Sequence, residues 1–120
     1  MMNSSNIIAE KTKRFAIRII RFAKYLRQEG VDVIIVRQLL KSGTSIGANT
    51  RESINAQSKD DFIHKLSIAL KEADETAYWL ELLVGAEEIS QAQFDSLYCD
   101  LKEILALLTS IIKTSKGLPK

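Results

Sequence analysis

The sequence predicts an all-α fold, an antiparallel up-down-up-down four-helix bundle formed by a single domain over residues 1–120. Three observations carry that prediction. Apolar residues recur at spacings of three and four through nearly the whole chain. Glycines and capping residues break this pattern at three places. The single proline, Pro119, stands at the far end, so nothing interrupts long helices before it. Connections this short make consecutive helices run in opposite directions.

The first helix takes its cap from Ser4, Ser5 or Asn6, carries Phe15, Ile19, Phe22 and Leu26 on one face, and ends at Gly30. Asp32 opens the second, which runs through Ile35, Val36, Leu39 and Leu40 toward Ala56, with a weak point at Gly43 and Gly47. Ser58 begins the third, and Asp60 and Asp61 sit in its first turn, where carboxylates favour the positive end of the helix dipole. Its core row is Phe62, Leu66, Ala69, Ala73, Ala77, Leu80 and Val84, with Gly85 as the stop. Ser90 and Gln93 form a capping-box pattern for the fourth. Its seam is Phe94, Leu97, Leu101, Leu105, Leu108 and Ile112, and Gly117 and Pro119 end it.

Composition narrows the class. Hydrophobic residues make up 46% of the 120, enough to build a core in a chain small enough to gain from self-association. No apolar segment approaches the roughly 20 residues needed to cross a bilayer, so no membrane partner is expected. The start, Met1-Met2-Asn3-Ser4-Ser5, lacks an export signal, and the one cysteine, Cys99, cannot make an internal disulfide. Both point to a cytoplasmic protein. Cys99 has no activating neighbour and reads as a buried, inert thiol.

Charge is uneven. The net charge is +2, yet residues 1–30 hold seven basic side chains against Glu10 and Glu29, and the remainder is net acidic. Within the first helix, Lys11, Arg14, Arg18 and Arg21 repeat at 3-4-3 spacing inside about 80° of arc. Four cations along about 15 Å of helix can neutralise phosphates and release counterions, which makes them the candidate RNA- or DNA-binding residues. The alternative is that they pair with carboxylates such as Glu72, Glu75 or Glu81, or face solvent. Tyr25, Tyr78 and Trp79 could stack on bases, although aromatics at such positions more often pack.

Thr44-Ser45-Ile46-Gly47-Ala48-Asn49, followed by Glu52, places small and polar residues inside an amphipathic helix. Gly43 and Gly47 permit close approach of another helix, while Ser45, Asn49 and Glu52 fall within about 60° of one another on an adjoining face. A buried carboxylate without a partner is costly, so Asn49 and Glu52 are expected to bond neighbouring helices or subunits. A ligand role is the alternative.

Residues Arg37 to Asn49, then Glu52, Lys59-Asp60-Asp61-Phe62 and Ala69 to Leu80, with its Glu75-Thr76-Ala77-Tyr78-Trp79-Leu80 segment, resemble the four-helix-bundle proteins named after intervening sequences in 23S rRNA genes. The likeness is close over helices two and three and extends in layout over the whole chain. It implies a closed ring of subunits, typically a homopentamer, with no established enzymatic activity. It also implies kinship with basic accessory proteins of diversity-generating reverse transcriptases, which bind nucleic acid and the polymerase. A ring would account for a second row on helix three, Ile68, Glu72, Trp79 and Leu83, about 120° from the core row, as a subunit interface.

Enzyme chemistry finds little support. A di-iron bundle site needs two Glu-x-x-His pairs, and His64, three after Asp61, is the only histidine. No nucleophile–base set assembles, so no enzymatic activity, metal or cofactor is expected. The expected function is a non-enzymatic oligomer that binds RNA or DNA through helix one, as an adaptor to a nucleic-acid enzyme such as a reverse transcriptase. The alternative is a protein-interaction scaffold without nucleic-acid binding.

Overall fold

The computed structural model describes residues 4–118 and contains four helices: α1 (Ser4–Gln28), α2 (Val33–Ile54), α3 (Lys59–Gly85) and α4 (Gln91–Ser115). Helix α1 is already under way at Ser5 and Asn6, and residues before Ser4, like Pro119, lie outside the described range. Each helix packs on its sequence neighbours, and α1 also meets α4, the seam of least close approach. The result is about 45 × 25 × 24 Å.

Local signals set the boundaries. The Asp32 carboxylate accepts from Ile34 N, Ser58 Oγ accepts from Asp61 N, and the capping box at Ser90 and Gln93 is complete. Helix α1 ends with Gly30 at φ +80°, Gly30 N donating to Arg27 O and Val31 N to Leu26 O. Helix α4 ends the same way at Gly117. Helix α2 stops at Ile54, two residues before Ala56.

Helix α3 stops at Gly85 as expected, but the glycine is its last helical residue and not its left-handed cap. The left-handed position falls on Glu87, φ 60°, with Glu87 N donating to Val84 O and Glu88 N to Leu83 O. The paired bonds are those of a Schellman ending, in which a left-handed residue satisfies the last carbonyls.

The core rows shift slightly from the expected ones. Phe15, Ile19 and Leu26 are buried, joined by Ile8 and Ala23, whereas Phe22 is half-buried. On α4 the seam runs Leu97, Leu101, Ile104, Leu108 and Ile112, with Phe94 and Leu105 beside it. On α3, Leu83 is buried at 2% exposure and Val84 flanks the core, as does Phe62. Leu83 therefore belongs to the chain's own core and is not a surface awaiting a second subunit.

The glycines of α2 do what their spacing predicts. A Cβ on Gly43 would lie 2.8 Å from Ile19 Cγ2, and one on Gly47 would lie 3.3 Å from the Thr12 carbonyl oxygen. These contacts and the Ser42–Thr76, Glu52–Lys65 and Arg18–Asp100 contacts fix which stretches of neighbouring helices face one another. Buried hydroxyls are satisfied locally. Thr12 donates to Ile8 O and Thr50 to Ile46 O, while the Ser42 and Thr76 hydroxyls lie 2.9 Å apart across α2 and α3. Among the described residues no buried side-chain polar atom lacks a partner.

Candidate nucleic-acid interface

Helix α1 buries Ile8, Thr12, Phe15, Ile19, Ala23 and Leu26, so its polar residues divide between the α4 side and open solvent. The expected stripe splits along that division. Lys11 Nζ lies 2.9 Å from Glu103 Oε2. Arg18 Nη1 lies 2.7 Å from Asp100 Oδ2, and its Nη2 donates to Ser96 Oγ at 2.9 Å. Arg14 reaches back one turn to Glu10 at 3.2 Å. Arg21 is exposed and, among the described residues, makes no ion pair. The carboxylates that take up Lys11 and Arg18 come from α4, not from Glu72, Glu75 or Glu81.

These pairs are open to water, where an ion pair contributes about 0–1 kcal/mol, so a polyanion can compete for the cations but gains less charge from them. The solvent face of α1 is composed differently. Lys13, Arg14, Arg21 and Lys24 are all exposed there, within about 100° of arc, around Ile17 at 40% exposure. Lys13 and Lys24 make no ion pair among the described residues, and neither do the exposed Arg37 and Arg51 of α2. Lys13 and Arg51 flank a groove of about 330 Å³ floored by Ala9, Ala16, Gly47 and Ala48. Sequence reasoning missed Lys13, Lys24, Arg37 and Arg51. The signal that could have found them is the acidic pattern of α4, whose Asp100 and Glu103 sit at the register that takes Arg18 and Lys11.

The polar motif of α2 also resolves residue by residue. Ser45 Oγ donates to Lys41 O and Asn49 Nδ2 donates to Ser45 O, so within the chain Asn49 bonds its own helix and no other helix of the bundle. Glu52 does reach a neighbour, accepting from Lys65 of α3 at 2.9 Å. That bond and the Glu52 charge push the Lys65 ammonium above its ordinary range.

The proposed interface row is likewise divided. Leu83 is in the core. Trp79 is half-buried against its own bundle, its indole N–H donating to Glu75 at 3.3 Å, and Ile68 is half-buried. Partial burial, reinforced by Glu75, pushes the Glu72 carboxyl above the ordinary glutamate range, opposed by Lys41 and Lys71. The large apolar residues left most open are elsewhere, among them Ile34 at 64%, Tyr78 at 53% and Ile20 at 52%. Cys99 is exposed, not buried as expected. No group of three or more candidate metal ligands occurs among the described residues, and no helix is long and apolar enough to cross a membrane.

Comparison with known proteins places this geometry. A crystal structure of a protein of unknown function from the S23 ribosomal protein family of Bacteroides thetaiotaomicron is similar to this chain, at 50% identity and a TM-score of 0.90, covering 92% of this chain and 99% of that one. No curated protein matches. Residues 4–110 match the pattern of the 23S rRNA-intervening sequence proteins, a span that takes in α1, α2, α3 and most of α4. The chain belongs to the family of 23S rRNA-intervening sequence proteins.

Proposed function

We propose that this protein is a non-enzymatic, oligomeric up-down-up-down bundle of the cytoplasm that binds RNA or DNA backbones through the solvent face of α1. The ring of subunits, a pentamer by family resemblance, repeats that face around its rim and serves as an adaptor to a nucleic-acid enzyme such as a reverse transcriptase. The observation that carries the reading is that five exposed cations, Lys13, Arg21 and Lys24 on α1 and Arg37 and Arg51 on α2, make no ion pair among the described residues. Cations outside ion pairs retain more of their attraction for phosphate than paired ones do, and repetition multiplies it.

Fluorescence anisotropy of a labelled RNA, titrated across salt concentrations, tests it. Log affinity should fall against log salt with a slope of roughly 0.9 per duplex phosphate contacted, or 0.7 per single-strand contact. Joint substitution Lys13→Glu, Arg21→Glu and Lys24→Glu should abolish binding, while Lys11→Gln with Arg18→Gln should weaken it only modestly. Full binding by the triple variant would remove this face from consideration.

A second reading has its own support. Ile17 and Ile20 are exposed among the α1 cations, while Tyr78 and Leu82 are exposed near Glu75 and Glu81 on α3. The two faces complement each other in charge and apolar character, which suits contact between copies in a scaffold that binds no nucleic acid. Light scattering on the same triple variant separates the readings: dissociation of the oligomer favours the scaffold, and an intact oligomer that no longer binds RNA favours the nucleic-acid role.

A further inference from the structure

The α1–α4 seam, the most open in the bundle, contains a groove of about 360 Å³ lined by Arg18, Phe22, Tyr25, Gln93, Ser96 and Leu97. A second concavity shares Arg18, Phe22 and Tyr25 and adds Arg21. Phe22 packs against the core, and Tyr25 lies on it with ring centroids 5.9 Å apart and planes 21° from parallel. Tyr25 is nevertheless 41% exposed. The phenol therefore lines the groove with its ring supported by Phe22 and partly open to solvent.

Its surroundings are cationic and polar. The Arg18 guanidinium is held by Asp100 and by both the hydroxyl and the carbonyl of Ser96, which fixes it at the wall of the same groove. Arg21 is exposed and makes no ion pair among the described residues. Gln93 has its Oε1 engaged by Ser90 N, which anchors the amide at the edge of the groove and leaves its Nε2 to donate. A flat aromatic surface beside a phosphate-binding cation and an amide donor is what an unpaired nucleotide requires, since its base face must stack and its backbone must be neutralised. A base held within a duplex cannot reach such a surface.

We propose that Tyr25, supported by Phe22, is a stacking platform for one unpaired base of a single-stranded nucleic acid, with Arg21 taking the adjacent phosphate. This subsite rests on the nucleic-acid reading above and specifies the strand state that it prefers. The test compares a labelled single-stranded oligoadenylate with a labelled RNA duplex of equal length at low salt, using the full chain and the variants Tyr25→Ala and Tyr25→Phe, each checked by circular dichroism for an intact fold. Tyr25→Ala should weaken single-strand binding roughly 5- to 150-fold and leave duplex binding unchanged. Tyr25→Phe should bind as the unaltered chain does. If the unaltered chain binds both probes and Tyr25→Ala is indifferent, or if Tyr25→Phe loses as much as Tyr25→Ala, the platform is overturned while the backbone reading stands. If the unaltered chain binds neither probe, the nucleic-acid reading falls and takes the subsite with it.

Discussion

At Gly43 the space for a side chain is already taken. A Cβ there would meet Ile19 at 2.8 Å from Cγ2, 2.9 Å from Cγ1 and 3.2 Å from Cβ, and Ile19 is fully buried with a branched, stiff side chain. Gly43→Ala should therefore cost about 1–3 kcal/mol in urea unfolding, despite the better helix propensity of alanine. Gly47→Ala meets the Thr12 carbonyl only at 3.3 Å and should cost less, and Gly85→Ala, with nothing within 4 Å, should stabilise by up to about 1 kcal/mol. Equal effects at Gly43 and Gly85 would contradict the close α1–α2 contact. Glycines four apart in an amphipathic helix were readable from sequence because only a close neighbour justifies their propensity cost. The fates of Lys11 and Arg18 were not, because a helix sequence gives the arc its cations occupy but not which neighbouring helix lies beneath that arc.

Three helices end on a left-handed residue, and two of them have glycine there. At α3 the position is filled by Glu87, which has a Cβ that crowds its own backbone at φ 60°. Glu87→Gly should raise stability by about 1 kcal/mol, and Gly30→Ala should lower it by a similar amount, since no atom lies within 4 Å of the added methyl and only the backbone is strained. Urea midpoints check both, and opposite signs for the pair are the required outcome. Gly30, Gly85 and Gly117 were legible as helix ends, but at α3 the left-handed position falls two residues beyond the glycine, on Glu87. Helix seams slipped for a related reason. The runs Leu82-Leu83-Val84 and Ile104-Leu105 offer an apolar residue at adjacent positions, so periodicity finds the face and leaves the choice within it to packing.

For the whole molecule, the four-helix architecture was legible because caps and apolar period agree throughout, whereas a surface is defined only once the helices are arranged. A lone bundle leaves Ile34 64% exposed at the start of α2, and at the end of α3 the exposed Leu82 lines a groove of about 180 Å³ with Val31, Ile35 and Leu83. Exposed apolar residues gathered at one end cost solubility unless something covers them, and a second copy is the cover always available. Sedimentation at micromolar concentration should show a closed oligomer. Ile34→Lys with Leu82→Lys should shift it to monomer while far-UV circular dichroism stays helical, because neither side chain belongs to the buried core. A monomeric unaltered chain would remove the proposed ring, and with it the multiplication of cations that the proposed RNA binding calls on. An oligomer indifferent to both substitutions would move the contact to the α1 face, where Ile17 and Ile20 lie among the cations, and assembly and nucleic acid would then compete for one surface.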